Sequence, residues 1–361
     1  MSYKISLSSV RIPESTYGLM EKTLRAGRIG QGAYVQRFEK MIAEYAGVNY
    51  CIAVSNGTMA DAVALAAVKE QLGIKKVLVP ALTFIAQPNS ARYNDLEVEF
   101  CDVKEDWTAD VPARFDDAPH NCPDDTMPFL TDIMGKVIDR PGVWIEDACE
   151  AFGSKKDGKQ AGTFGLIGTY SFFPSHTIST GEGGAIVTND SGLANLCRSI
   201  RAHGFSDMNP FNKFSFQYFG FNARMTDLQA ALGIALMEEV DEHVGDRRHI
   251  FSLMQDKIGG FEEKEGEELV PHGFPIEFKD KGSRNKGMMA FLDAEIECRL
   301  FFSCIPRDEK PYAKKYISHR RYPMAEHISD THLYLPCTQL MSAEDVDYMA
   351  TIFDGMKGLV R

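Results

Sequence analysis

Cys51-Ile52-Ala53-Val54-Ser55-Asn56-Gly57-Thr58 passes from a short apolar run through a small polar turn into an alanine-rich stretch. The first four residues read as a buried strand, and Ser55-Asn56-Gly57 as the turn that ends it. Thr58 opens a helix whose apolar residues include Val63, Leu65, Val68 and Leu72, and Gly73 closes it. Outward from this unit the pattern repeats, with Val77-Leu78-Val79, Val98-Glu99-Phe100 and Val143-Trp144-Ile145 as further strands between helical stretches. Such alternation implies an α/β fold with a mainly parallel sheet. Two more strand candidates, Thr169 to Phe173 and Ala185 to Thr188, follow.

After Thr226 a helical pattern containing Leu228, Ala231, Leu232, Ile234, Leu236 and Met237 leads toward a smaller α+β region. The expected division is a large domain over 1–245 and a small one over 246–361. The small one should hold strands around Glu297–Phe302 and a last helix from Ser342 to Met356, with Ser342 as N-cap. Residues 104–141 are the least regular, and residues 116–125 read as an exposed acidic loop.

At 361 residues the chain can bury a large core, and its 44% hydrophobic and 25% charged content is that of a globular protein. A formal charge of -12 argues against nucleic acid or an anionic membrane as the main partner. No apolar run approaches membrane-spanning length, and the N-terminus lacks a signal-peptide stretch, so the expected location is the cytoplasm. The eight cysteines are scattered without a CxxC pair, which points to reduced thiols and away from a zinc site or an iron–sulfur cluster. No metal is expected.

Four local features suggest a binding site. Ser55-Asn56-Gly57-Thr58 joins a strand to a helix N-terminus, a favourable place for phosphate, although a plain N-cap looks the same. Glu146-Asp147 ends a parallel strand, where open α/β sheets build sites and where a carboxylate could pair with a protonated pyridine nitrogen; a solvated acid is the alternative. Phe84, just after the second strand, could cover a planar ring or simply pack in the core. Ser171 could offer a hydroxyl to phosphate.

The order of these pieces resembles that of the DegT/DnrJ/EryC1/StrS family of sugar-nucleotide aminotransferases. So do Thr169-Tyr170-Ser171-Phe172-Phe173-Pro174-Ser175-His176 with Thr180-Gly181-Glu182-Gly183-Gly184-Ala185, and Gly220 to Ala231. Arg28-Ile29-Gly30-Gln31-Gly32 with Phe38-Glu39 fits too. The likeness is good from Thr23 to Met237 and looser beyond. It implies the fold type I of pyridoxal-phosphate-dependent transferases, and pyridoxal or pyridoxamine phosphate as coenzyme. Residue by residue it implies that Gly57, Thr58 and Ser171 hold the phosphate, Phe84 stacks on the ring and Asp147 meets the pyridine nitrogen. Glu150, often glutamine in relatives, would lie near the ring hydroxyl. Asn222 would reach the neighbouring subunit's phosphate, implying a homodimer with shared sites. Phe211, Phe214, Phe216, Tyr218, Phe219 and Phe221 would line that interface or pack as core. Arg224 and Arg299 are candidates for the diphosphate of a nucleotide sugar.

In that family the position of His176 carries the lysine that binds the coenzyme. Imidazole cannot form that covalent tether, yet it can move protons near neutral pH. The resemblance is therefore to the histidine-bearing branch, the 3-dehydratases of 4-keto-6-deoxy sugar nucleotides. It implies loss of the C3 hydroxyl, with His176 as acid and base and glutamate restoring the coenzyme amine. Two alternatives stay open: an aminotransferase making a 4-amino or 3-amino sugar, and an altered member that only binds coenzyme or sugar nucleotide. Residue 177 is threonine where dehydratases of this branch carry a second histidine, and Ser175 to Gly183 is closer to the aminotransferase pattern.

Overall fold

The structure is a computed structural model that describes residues 3–8, 10–116, 122–205, 214–308 and 310–361. Phe211 and residues 117–121 of the acidic loop lie outside them. Seven strands make the central sheet: β1 (Tyr50–Val54), β2 (Lys76–Pro80), β3 (Glu97–Cys101), β4 (Thr126–Thr131), β5 (Ile145–Asp147), and β8 (Ile167–Ser171) with β9 (Gly184–Thr188). Between β5 and β8 lies a hairpin of β6 (Lys155–Lys156) and β7 (Lys159–Gln160). The order across the sheet is β1-β9-β8-β5-β4-β2-β3, and only β9 runs against its neighbours. The mainly parallel α/β sheet expected from sequence is present.

Helices cover both faces: α1 (Ser15–Ala26), α2 (Ala33–Ala46), α3 (Gly57–Leu72), α4 (Ala86–Tyr93), α5 (Ser191–Ile200) and α6 (Asp227–Glu238). α3 is buried on every side from Ala60 to Val68, where all but Asp61 are apolar, and it packs on β8 and β9. The edge strand β1 has its polar groups answered by side chains. Ala53 N–H donates to Glu39 Oε1 at 2.9 Å, its carbonyl accepts from Arg201 Nη1 at 2.6 Å, and the two side chains pair with each other.

β4 lies in the stretch that reads as irregular. Pro128 hides it, since proline argues against a central strand. The register explains the exception: Leu78↔Pro128 is the last pair with β2, and pairing with β5 begins at Phe129↔Ile145. The proline thus sits where the strand changes partner.

α7 (Val240–Lys257) runs unbroken through residue 245, where the domain boundary is expected, and carries the chain to a second sheet. There β10 (Glu267–Glu268) joins the β6–β7 hairpin. β11 (Phe274–Glu277), β12 (Arg299–Leu300) and β13 (His332–Leu335) form an antiparallel sheet in the order β11-β13-β12. α8 (Lys281–Asp293), α9 (Pro323–Thr331) and α10 (Ala343–Asp354) complete this part. Ser342 caps α10 through a reciprocal box with Asp345. The N-terminus also belongs here, since Ile5 bridges to Ile296. Among the described residues no helix is long and apolar enough to cross a membrane, and all eight cysteines are free.

Candidate active site

The carboxyl ends of β2, β4, β5 and β8 open onto one cavity of about 270 Å³, where the second sheet closes over them. Of the ten residues singled out in the sequence, His176, Gly57, Thr58, Phe84, Asp147, Glu150, Ser171 and Arg299 line it. Asn222 and Arg224 do not. They lie beside β1, where Ala202 bridges to Asn222 and Val54 to Arg224, and the exposed Arg224 guanidinium donates to Asn222 Oδ1 at 3.0 Å.

At the start of α3, Asn56 caps the helix by accepting from Met59 N–H at 2.9 Å, which leaves the first helical N–H groups free for an anion. Gly57 is required by packing: a Cβ there would stand 2.7 Å from Ser171 Cβ. Gly184 is pressed as closely against the turn, since its Cβ would lie 2.6 Å from the Asn56 carbonyl oxygen. Phe84 faces the cavity with 55% of its surface exposed, 5.9 Å from the Phe302 ring.

The floor is acidic. Asp147 and Asp61 are both buried, Asp61 accepts from Thr169 Oγ1 at 2.8 Å, and their oxygens come with Cys149 Sγ within 4.8 Å of one another. Burial raises the pKa of both carboxyls, and the neighbouring Asp147 raises that of Asp61 further. Among the described residues no cation of the chain pairs with either. Two buried acids without a counter-charge suit a protonated ring nitrogen. Glu150 accepts from Met134 N–H at 3.0 Å, and burial pushes its carboxyl up to about 8.

His176 sits in the loop between β8 and β9. That loop is tied down by Phe172 N–H to Gly183 O at 2.9 Å, Thr180 N–H to Phe172 O at 3.0 Å, and Thr177 Oγ1 to Phe152 O at 3.0 Å. Thr177 therefore points into the protein, away from the cavity that its neighbour lines. Burial, reinforced by Arg247 and Arg299, pulls the His176 imidazole down to about 3, so it is a neutral base at neutral pH.

Sequence reasoning missed Asp61, His272, Phe302 and Tyr334, all on the cavity wall. Asp61 had a signal, a lone acid among the alanines and valines of a fully buried helix. His272, Phe302 and Tyr334 had none, because they arrive from the second sheet on separate segments. Lys155, Lys156 and Lys159 lie on the β6–β7 hairpin and do not line the cavity.

Sheet order and strand-end acids together define an α/β enzyme of the aspartate aminotransferase-like class. The profile of the DegT/DnrJ/EryC1/StrS aminotransferase family matches residues 11–114 and 131–354, and the chain belongs to that family. It is 32% identical over 341 residues to a GDP-perosamine synthase of Escherichia coli O157:H7, covering 88% of this chain and 89% of the relative. It is 28% identical to a GDP-4-keto-6-deoxy-D-mannose 3-dehydratase of Yersinia pseudotuberculosis, covering 81% and 83%. Among solved structures, the E. coli GDP-4-keto-6-deoxy-D-mannose-3-dehydratase with bound hydrated PLP superposes with a TM-score of 0.87 at 24% identity, over 98% of this chain and 100% of that one. That last likeness is one of fold.

Proposed function

We propose that the chain holds pyridoxamine or pyridoxal phosphate in this cavity and removes the C3 hydroxyl of a nucleotide-linked 4-keto-6-deoxyhexose, with His176 moving the proton. The observation that carries this reading is the wall at residue 176: a neutral imidazole there, and no lysine among the described residues lining the cavity. The names of the relatives support a nucleotide sugar as substrate.

When bound, the coenzyme supplies an amine for the sugar ketone and a ring that accepts electrons. The start of α3 at Gly57 and Thr58 and the Ser171 hydroxyl hold its phosphate, and Phe84 covers its ring. Asp147, backed by Asp61, keeps the ring nitrogen protonated, while Glu150 meets the ring hydroxyl. His176 takes up a proton from carbon and returns it to the departing oxygen, work worth about 10²–10⁴ in rate. Arg299 faces the substrate diphosphate, glutamate restores the amine, and Asn222 and Arg224 serve the site of a second copy. The outward Phe214 and Phe219, 79% and 99% exposed, support such a copy covering that face.

A second reading, amino transfer to the sugar ketone, is favoured by Thr177 and by the greater identity to the perosamine synthase. The test is product analysis with glutamate and a 4-keto-6-deoxyhexose nucleotide. Dehydration gives 2-oxoglutarate, ammonia and a 3-deoxygenated ketosugar. An amino sugar that keeps its 3-hydroxyl would establish transfer instead.

A further inference from the structure

We infer that His272 is a second acid–base residue of this site, passing to the departing C3 hydroxyl the proton that His176 takes up. The inference rests on the dehydration reading and deepens it. The two imidazoles come from different parts of the chain, His176 from the β8–β9 loop and His272 from the residue pair before β11, yet their ring centroids stand 4.9 Å apart at 45° on the cavity wall.

Their spacing is built in. Arg247 donates from Nη1 to the Pro271 carbonyl at 3.0 Å and from Nη2 to the His176 carbonyl at 3.3 Å, so one buried guanidinium fastens both backbones. Gly273 lets the Tyr334 ring close over His272, since a Cβ at 273 would lie 2.4 Å from Tyr334 Cδ2. His272 Nε2 faces Glu150 Oε1 at 3.9 Å. His272 Nδ1 is buried without a partner among the described residues, which leaves it free to exchange a proton with a bound group.

The charged and titratable groups facing His272 are His176, Glu150, Arg247, Arg299 and Tyr334. Burial and the neighbouring His176, Arg247 and Arg299 leave His272 neutral, as His176 is. Two adjacent neutral imidazoles can hold one proton between them, but two charges so close repel. On the far side the protonated Glu150 carboxyl turns an oxygen toward the ring at 272.

The relay balances. One proton leaves carbon for His176, moves to His272, and departs on the C3 oxygen as that C–O bond breaks and water forms. The C–H electron pair stays in the organic framework and the C–O pair leaves with oxygen, so no oxidant, reductant or outside acid is consumed.

Two measurements test this on the full-length protein. In the protein as purified, nuclear magnetic resonance of ¹³C-labelled histidine rings should show the His272 pKa rising in His176→Asn; an unmoved His272 titration overturns the pairing. In single turnover, His272→Asn and His272→Gln should slow the sugar-consuming step by about 10²–10⁴ and the glutamate step far less, whereas His176→Asn slows both. Equal slowing of both steps by the His272 variants, or slowing of neither, overturns the relay. Absence of any deoxysugar from the unaltered enzyme ends the dehydration reading as well, whereas intact deoxysugar with unmoved variant rates ends the relay alone.

Discussion

Arg247 Nη2 donates to the carbonyl of His176 across 71 residues of sequence, joining α7 to the loop that carries the imidazole. The same guanidinium meets Gln339 Oε1 at 2.9 Å, and Gln339 Nε2 in turn donates to the Thr177 carbonyl at 3.0 Å. Burial lowers its pKa to about 10, so it stays charged at neutral pH. Arg247→Met leaves three oxygens, one of them fully buried, short of a donor, and should cost about 2–4 kcal/mol in urea unfolding. Arg247→Lys should recover part of that. No loss in the methionine variant would show that the clamp contributes nothing.

Replacing His176 with lysine puts an amine on the cavity wall. The expected outcome is a covalent bond between residue 176 and bound pyridoxal phosphate, read as a shift in the coenzyme absorbance band and as a borohydride-fixed adduct in the mass spectrum. An unmodified mass would mean that residue 176 does not face the coenzyme aldehyde.

Glu150 gives a pH signature. Folded, it keeps its proton up to about 8 against an ordinary 4.5, so between those values the folded chain binds more protons than the unfolded one. Its stabilising contribution is complete below 4.5 and lost as pH rises through the folded value. The slope is at most about 1.4 kcal/mol per pH unit. The stability of the unaltered chain minus that of Glu150→Gln should therefore fall between pH 5 and 8 and flatten above; a difference that ignores pH would contradict a buried neutral acid.

How much of this was legible in the sequence follows from where each signal lives. The unit around Cys51 to Thr58 declares itself through local pattern, and the strands, the turn and the helix are all present, with Asn56 rather than Thr58 at the helix start. Asp147 was legible because strand ends have a local signature, whereas Ser171 entered only through its place in the family's motif. Pro128 concealed β4 because its tolerance depends on which neighbour the strand pairs with, a fact absent from the strand itself. His272, Arg247 and Tyr334 could not be placed because each is ordinary in its own segment and acquires meaning only when the second sheet folds over the first.

Phe214 and Phe219 bear on assembly. If a second copy covers them and its Asn222 completes the phosphate site, replacing both with serine should shift sedimentation toward the lighter species and weaken coenzyme retention. Unchanged sedimentation would place the subunit contact elsewhere.

His176 sits in a loop whose two ends are sheet neighbours, with Ser171 directly opposite Gly184. A segment anchored in that way is an interchangeable cassette. Its contents can change while strand register and helix packing stay put, so on the proposed reading a change between tethered and untethered coenzyme would need local substitution alone.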